Sequence, residues 1–492
     1  VSGSFTIPQG GLTGHMRIAN ESGSSSFRVE EYKRPEFNVT FNPVKGSYRL
    51  GSTINITGKA MAYSGNAVDN AKLKYRVVRN TYFPFRDNFR GFYPAPGQTA
   101  EIASGELSTD EAGEFNIQFT AIPDKDLEFH KTPAFHYTIY VDVTDISGET
   151  QSASSHVMVS EKSLLINLNI PDIVDINGDH SFDLSCTNLN GEPESVDMEV
   201  IISQLESPEK IFKQRRWELP DIRILDKKEF AKFFPSYAYS NENDKSSWKR
   251  IKTAQEEIIK TNDDIKLYIN NLSQWEAGEY VVVLKTKDSF GKEVSFTKYF
   301  TVFSGSSEKM PVKKATFFVE KADKAEPGDT LTYYLGSSYK NVKVLYELHS
   351  LNGLQKHEWI KLNDEVLRFD IPVHEEDRGG LAISLSYLYD NESYNHMVDV
   401  EVPYTNKELD LSFESFRDKL QPGQKEEWKI KIRSYKGDKV AAELLAGMYD
   451  ASLDELAFHN WHLKIFNKKY YPRFWDFDHA FILGNSWLSG PP

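Results

Sequence analysis

The residues of this sequence that are best suited to chemistry are two histidines three positions apart, His459 and His462, followed by Asp476, Asp478 and His479. Two imidazoles at that spacing can share one face of a helix and bind one metal ion. The side chains downstream have none of the spacings that recognised metal sites use. We therefore expect these residues to pack or to face solvent, and we predict no metal site and no cofactor.

Paired carboxylates and the cysteine are the other candidates for catalysis. The clusters Glu375-Glu376-Asp377 and Asp263-Asp264 could act in glycoside hydrolysis, but both are expected in solvated loops at strand ends. Cys186 is the only cysteine, has no neighbouring histidine and occupies an alternating position, which predicts a buried packing residue. The sequence also lacks the GxSxG, HExxH, P-loop and dinucleotide-binding motifs. These observations predict a protein that is not an enzyme.

Length and charge limit the remaining classes of protein. A chain of 492 residues is too long for one core and predicts three or four domains, at about 150 residues for each. The formal net charge of −14 argues against nucleic-acid binding, which needs a basic surface. No apolar run approaches the roughly 20 residues that a membrane-spanning helix requires.

A turn followed by a strand of alternating apolar and polar residues occurs four times, at Leu50–Gly58, Asn177–Cys186, Ala325–Leu335 and Gln421–Ile432. The first three of these units end in a β-hairpin with Asp, Asn, Gly or Ser at the turn, which is the chemistry that tight turns require. The pattern predicts an all-β protein of tandem antiparallel β-sandwich domains, similar to immunoglobulin or fibronectin domains.

The turns also predict where the domains begin and end. We expect the closing strands of one domain, three whole sandwiches and part of a fourth, at residues 1–29, 30–160, 161–304, 305–404 and 405–492. The incomplete first and last segments predict that the chain is part of a longer protein. The second whole sandwich has an insert at about 203–262. Asp226 as N-cap and Pro235 as terminator predict a short helix there, whereas Trp248–Ile259 fits either a helix or a strand.

An aromatic loop at 81–97 is the candidate interaction surface of the first whole sandwich. Aromatic residues dominate protein interfaces, so the favoured interpretation is a hairpin tip that packs on a neighbouring domain. A platform for a sugar or a peptide is the alternative. The loop contains Tyr82, Phe83, Phe85, Phe89, Phe92 and Tyr93.

Two motifs resemble the α2-macroglobulin family. The segment Phe27–Phe37 resembles the junction of the second and third macroglobulin domains, through Glu30, Glu31, Tyr32, Pro35 and Phe37. The last segment is similar to the sixth macroglobulin domain, through Pro422, Gly423, Gly437, Asp450, Ala451, Ser452 and Leu453. The five segments would then be the end of the second domain, the third, fourth and fifth domains, and part of the sixth. The aromatic loop and Arg216–Asp221 look like the bacterial branch of the family, in Bacteroidetes-like envelope proteins.

This resemblance implies a protease trap. In the family, macroglobulin domains build a cage, a bait segment in the sixth domain is cleaved, and a Cys-x-Glu-Gln thioester captures the attacking protease in many members. Cys186 is followed by Thr187-Asn188-Leu189, so it is not that thioester. The segment after Leu456 is the candidate for a bait or post-bait segment, with Ala457, His459, Trp461, Tyr471 and Trp475.

The resemblance further implies target proteases and neighbouring domains of the parent chain as partners, in the periplasm or at the cell surface, and it leaves a lipid anchor on the parent chain open. We expect a non-catalytic scaffold of a bacterial protease inhibitor. Two alternatives remain at this point. One is an adhesion or spacer protein of the cell envelope, and the other is an accessory region of a larger envelope enzyme.

Overall fold

The structure is a computed structural model, and it describes residues 14–20, 23–29, 36–82, 99–124, 134–215, 222–261, 265–415, 417, 423–434 and 442–447. The chain divides into two units. The first unit holds the described residues up to Leu164 together with Thr187–Glu192, and the second holds Leu165–Cys186 and the described residues from Pro193 onward. Nearly all regular structure in these residues is antiparallel β-sheet, as the sequence predicts.

The first unit contains a two-stranded sheet and a seven-stranded sandwich. Its strands are β1 Gly14–Asn20, β2 Gly23–Val29, β3 Phe37–Phe41, β4 Thr53–Ala62, β5 Lys72–Tyr82, β6 Ala100–Ser108, β7 Glu114–Thr120, β8 Ala134–Thr144 and β9 Thr150–Ser160. Strands β1 and β2 pair with each other. The sandwich has one sheet in the order β3-β4-β7 and a second in the order β6-β5-β8-β9, with antiparallel pairing throughout.

Alternation along the strands builds the core of this sandwich. Ile54 and Ile56 of β4 are buried, whereas the residues next to them in the strand are exposed. Side chains at every second position of a strand share one face, so β4 has one apolar, buried face and one solvent-exposed face. Tyr137 of β8 is fully buried from the opposite sheet, and its hydroxyl donates to the carbonyl oxygen of Ile122 at 2.9 Å.

The second sandwich contains the only α-helix in the described part of the chain. Its elements are β10 Leu164–Leu168, β11 Ile173–Asp175, β12 Ser181–Asn188, β13 Asp197–Leu205, α1 Lys227–Phe233, β14 Arg250–Lys260, β15 Ile265–Tyr268, β16 Gly278–Lys287 and β17 Glu293–Phe303. One sheet has the order β10-β12-β15 and the other β11-β17-β16-β13-β14. The pairing of β11 with β17 is parallel, and the other pairs of the second sheet are antiparallel.

The structure confirms the short helix of the insert and decides the ambiguous segment. Asp226 caps α1 by accepting from the amides of Lys228 and Glu229, and the side chain of Glu229 completes a capping box. The segment that fitted either a helix or a strand is strand β14, which pairs along its length with β13. The long excursion of the sandwich therefore lies between two paired strands, at 206–249.

The third sandwich has the same seven-stranded arrangement as the first. Its strands are β18 Phe317–Glu320, β19 Thr330–Ser337, β20 Val342–Ser350, β21 Gly353–Leu362, β22 Glu365–Pro372, β23 Leu381–Tyr389 and β24 Glu392–Val400. Its sheets have the orders β18-β19-β22 and β21-β20-β23-β24. Asp390 and Asn391 both have positive φ in the hairpin between β23 and β24, the backbone that a two-residue turn needs. Strands β25 Leu409–Ser415 and β26 Lys429–Ser434 form a further pair.

Short 3-10 helices join some of these strands. They are Lys245–Ser247, Leu272–Gln274, Glu375–Asp377 and Thr405–Lys407. Among the residues that the structure describes, no helix is long and apolar enough to cross a membrane.

Gly58 of β4 offers a test of how tightly the first sandwich is packed. A Cβ at this position would lie 2.3 Å from Cζ of Phe115 and 2.7 Å from the carbonyl oxygen of Thr40. We expect Gly58→Ala to lower the free energy of unfolding of this sandwich by about 1–3 kcal/mol, because the ring must shift inside a packed core. The control Lys59→Ala changes the adjacent, partly exposed residue and should cost about 0.5 kcal/mol or less. Hydrogen exchange of the β4 and β7 amides measures both variants, and equal protection in the two would contradict the prediction.

Candidate functional site

Most residues that the sequence singles out lie outside the described residues. They are Phe83, Phe85, Phe89, Phe92 and Tyr93 of the aromatic loop, Ala457, His459, Trp461, Tyr471 and Trp475 of the bait candidate, Glu30, Glu31, Tyr32, Pro35, Pro422, Gly437, Asp450, Ala451, Ser452 and Leu453 of the family motifs, and His462, Asp476, Asp478, His479, Asp263, Asp264 and Arg216–Asp221. Their roles stay predictions.

Three residues of the aromatic loop and the family motifs are described. Phe37 begins β3 and is 1% exposed in the core of the first sandwich. Tyr82 ends β5 at the start of the aromatic loop. Gly423 has a φ of +79°, a backbone conformation that glycine adopts without strain, so its place in the turn motif has a conformational reason.

The remaining candidates for catalysis have structural roles. Cys186 is buried, and burial raises the pKa of its thiol to about 11, so it packs as predicted and is not an activated nucleophile. The expectation of a solvated loop at Glu375–Asp377 is wrong for Asp377, which is 2% exposed. Its carboxylate accepts from the amide of His374 at 2.8 Å and from the side chain of Gln355 at 3.3 Å. Within the described residues, no three His, Cys, Asp or Glu side chains are grouped so that they could hold a metal ion.

The feature that the sequence analysis missed is a buried carboxylate at Glu279 in β16. Its side chain has no exposed surface. One oxygen, Oε2, accepts from Nζ of Lys245 in the insert at 2.7 Å. The other oxygen, Oε1, lies 2.7 Å from Nζ of Lys314, which precedes β18, and accepts from the hydroxyl of Thr301 at 3.0 Å. Three segments that are distant in sequence therefore meet at one carboxylate.

The charge of Glu279 follows from this arrangement. Burial by itself raises the pKa of a carboxyl group, because the ionised form loses its hydration. At Glu279 the attraction of Lys314 and Lys245 and their hydrogen bonds outweigh burial, so the pKa lies below its ordinary value. Glu279 is therefore ionised at neutral pH, with one ammonium group on each carboxylate oxygen.

An apolar cluster lies between the second and third sandwiches. Phe303 ends β17, and its ring lies edge-on to Phe317 of β18 at 5.5 Å and to Tyr334 of β19 at 5.2 Å. Val319 and Val366 complete the buried cluster. Aromatic pairs in this geometry stabilise by about 0.5–1.5 kcal/mol beyond their buried area, so the two sandwiches share a small core of their own.

Asp175 of β11 adds a polar contact beside this cluster. Its Oδ2 lies 2.8 Å from Nζ of Lys321, and its Oδ1 accepts from the amide of Gly305 at 3.2 Å. Burial opposes ionisation of Asp175, but the hydrogen bonds and the charge of Lys321 lower the pKa of its carboxyl group. The junction of the second and third sandwiches thus combines an apolar cluster with two carboxylates that are paired across it.

The insert also contacts the third sandwich directly. Nζ of Lys213 lies 2.8 Å from Oδ2 of Asp390 at the hairpin between β23 and β24, and it also donates to the carbonyl oxygen of the same residue. The side chain of Lys213 is 9% exposed and that of Asp390 is 44% exposed, so the lysine end of this ion pair is shielded from solvent and the carboxylate end is not. Lys213 and Lys245 therefore fix the insert at two points, one on each sandwich.

Arg378 performs a similar role at the end of the third sandwich. Its guanidinium donates to the carbonyl oxygen of Pro403 and to the hydroxyl of Thr405 at 3.1 Å. It also pairs with Glu326 at 3.3 Å and with Glu375 at 2.7 Å. These contacts hold the segment that leads from β24 to β25.

One signal in the sequence could have revealed the junction. Strand β16 begins with the run Gly278-Glu279-Tyr280-Val281-Val282-Val283-Leu284, in which a single charged residue stands among apolar ones. A continuous apolar run indicates a strand that is buried on both faces. A carboxylate inside such a strand must be paired, although the sequence does not say with which lysines.

Removal of the charge at Glu279 tests the junction. We expect Glu279→Gln to lower the free energy of unfolding of the second sandwich by about 1.5–3 kcal/mol at neutral pH, because two ammonium groups lose their charged partner. Asp183→Asn is the matched control, since Asp183 forms an exposed pair with Lys266 at 3.7 Å in the same sandwich. This control should cost about 1 kcal/mol or less. Urea denaturation monitored by tryptophan fluorescence measures both variants, and an equal cost would contradict the buried clamp.

We also expect the stabilisation that Glu279 provides to depend on pH. Because the pKa of Glu279 is lower in the folded protein than in the unfolded chain, its contribution is fully present above the unfolded value of about 4.3 and is lost as the pH falls through the folded value. The difference in unfolding free energy between the wild type and Glu279→Gln should therefore shrink as the pH falls from 7 to below about 4. A difference that stays constant over this range would show that the charge of Glu279 does not stabilise the junction.

Comparisons with known proteins give matches only among solved structures. No family model matches the chain, and no curated protein sequence is similar to it. Trypsin-activated α2-macroglobulin of Escherichia coli is similar at 14% identity and a TM-score of 0.41, over 87% of this chain and 28% of that chain. A bacterial ice-binding adhesin is similar at 11% identity and a TM-score of 0.18, over 75% of this chain and 97% of that chain.

A Salmonella α2-macroglobulin reacted with methylamine is similar at 14% identity and a TM-score of 0.29, over 88% of this chain and 28% of that chain. The chain thus spans about 28% of the length of these two macroglobulins. The solved structures to which it is similar thus include two bacterial α2-macroglobulins.

Proposed function

We propose that this chain is a non-catalytic scaffold of a bacterial α2-macroglobulin-like protease inhibitor, which captures endopeptidases after a bait segment is cleaved. The observation that carries this proposal is the junction at Glu279, where the second sandwich, its insert and the third sandwich meet. A trap must convert one cut into a movement of whole domains, and domains that share a core and paired buried charges can move as one body.

The division of the chain belongs to the same proposal. Residues 1–29 supply the end of a second macroglobulin domain. Residues 30–160, 161–304 and 305–404 supply the third, fourth and fifth domains, and residues 405–492 supply part of the sixth. The motif residues, among them Phe37 and Gly423, support this order. The proposed bait or post-bait segment begins after Leu456.

The proposal assigns partners and a location. The partners are endopeptidases that reach the bait segment, together with the neighbouring domains of the parent chain. The location is the cell envelope, in the periplasm or at the cell surface. In this proposal the chain acts without a catalytic group, and its sequence contains none of the recognised motifs for nucleophilic or metal-dependent hydrolysis.

Limited proteolysis of the full-length parent protein tests this function. We expect trypsin to cut preferentially between Leu456 and Trp475, where the sequence offers Lys464, Lys468, Lys469 and Arg473. The cut should be followed by compaction, measured as faster migration in a native gel and as a smaller radius of gyration in solution scattering. The captured protease should still hydrolyse a small peptide substrate but lose activity on a folded protein substrate.

A variant with all four basic residues of that segment changed to Gln is the matched control. It should resist compaction by trypsin and still be compacted by chymotrypsin, which cuts at the aromatic residues of the same segment. Inactive trypsin should have no effect on the wild type. Cuts spread over the whole chain without compaction would overturn the trap and would instead favour a spacer or adhesion role.

A further inference from the structure

The insert exposes apolar and basic side chains together around α1. Ile222 is 80% exposed, Ile224 is 92% exposed and Phe233 is 63% exposed. Lys228 and Lys232 of the helix are exposed as well. We call these five residues the insert patch. Large apolar residues that are exposed as a group indicate a contact surface rather than chance exposure.

The insert patch stands on an ordered base. The guanidinium of Arg223 lies 4.7 Å from the ring centre of Tyr239, whose hydroxyl donates to the carbonyl oxygen of Leu225 at 3.1 Å. Tyr239 in turn lies edge-on to Phe230 at 5.4 Å, and Phe230 contacts Phe234 at 5.1 Å. The segment 222–225 and helix α1 therefore both contact Tyr239 and belong to one aromatic cluster.

The charge of this region is opposite to that of the protein. Residues 222–234 contain four basic side chains and two acidic ones, whereas the whole chain has a formal net charge of −14. Both acidic residues, Asp226 and Glu229, are engaged in the capping box of α1. Lys227 pairs with Glu242 at 2.9 Å, which leaves Lys228 and Lys232 facing solvent on the helix.

We propose that the insert patch binds the surface of an anionic phospholipid bilayer. Ile222, Ile224 and Phe233 enter the region between head groups and acyl chains, where apolar side chains leave water. Lys228 and Lys232 extend their ammonium groups to the lipid phosphates, and their methylene stems lie along the apolar boundary. An otherwise acidic protein is thereby oriented with this one face toward the membrane.

The shape of the patch favours a bilayer over a protein partner. Ile222, Ile224 and Phe233 are 80%, 92% and 63% exposed, and a protein partner would need a pocket for each of them. A stable protein interface buries about 800 Å² on each partner, more than three side chains on a seven-residue helix and its approach can supply. A lipid surface deforms around exposed side chains, so it needs no such complementarity. The binding does not rest on protease capture and would hold in any protein that contains this insert.

Sedimentation of the 492-residue chain with vesicles tests the proposal. We expect binding to vesicles that contain phosphatidylglycerol, weaker binding to pure phosphatidylcholine vesicles, and loss of the difference at about 1 M salt, where the Debye length is about 3 Å. Ile222→Ser with Ile224→Ser should weaken binding by about 10-fold or more. Lys228→Glu with Lys232→Glu should weaken it by about 25-fold or more, at roughly 5-fold for each basic residue.

Two control variants match these changes elsewhere on the surface. Ile146→Ser removes an isoleucine that is 94% exposed in the turn after β8, beside Asp145 and Glu149. Lys74→Glu with Lys266→Glu makes the same change in net charge at two exposed lysines of other sheets. Ile146→Ser should change binding less than 2-fold. The double lysine control measures the general effect of net charge, and it should weaken binding much less than Lys228→Glu with Lys232→Glu. Circular dichroism establishes that each variant is folded.

Three results would overturn the proposal. The first is no sedimentation of the wild type with phosphatidylglycerol vesicles. The second is binding that the patch variants leave unchanged, which would show that another surface binds the vesicles. The third is a loss of binding in the control variants equal to that in the patch variants, which would show that total charge, and not this surface, governs the interaction.

Discussion

A carboxylate without exposed surface has to be neutralised where it lies, and at Glu279 this constraint determines the neighbouring structure. Removal of an ionised group from water costs several kcal/mol unless opposite charges and hydrogen bonds replace the solvent. The insert must therefore place Lys245 beside Glu279 of β16, and the segment before β18 must place Lys314 beside the same carboxylate. The ion pairs depend on the fold of both sandwiches, and the relation between those sandwiches depends on the ion pairs.

The local parts of the fold could be predicted from the sequence because local chemistry determines them. Alternation in the strand that contains Ile54 and Ile56 identifies a sheet with one buried face, and positive-φ residues such as Asp390 and Asn391 identify a hairpin. Asp226 predicts the start of α1 for the same reason, since its side chain satisfies amides only two and three residues away. None of these local structures requires an interaction with a distant part of the chain.

The junction could not be predicted because its parts are far apart in sequence. The run around Glu279 shows that a buried charge exists, but nothing near it names Lys245 or Lys314 as its partners. The segment 248–259 fitted a helix as well as a strand until its pairing with β13 was known, since pairing, and not intrinsic propensity, determines a strand of mixed composition. Asp377 was misjudged for the same reason: a charge in a loop is solvated only if no distant side chain covers it.

The insert depends both on local interactions and on contacts with distant parts of the chain. Lys213 and Lys245 fix its base to the third and the second sandwich through ion pairs in which one partner is buried. Within the insert, Nε1 of Trp248 donates to the carbonyl oxygen of Glu242 at 2.9 Å. Helix α1, in contrast, buries none of its residues. A helix of seven residues gains little from its own hydrogen bonds, and most helices are stabilised by the face that they bury. The insert therefore holds in place a helix whose apolar residue Phe233 is exposed. A surface outside the chain that covers Phe233 would supply the burial that stabilises most helices.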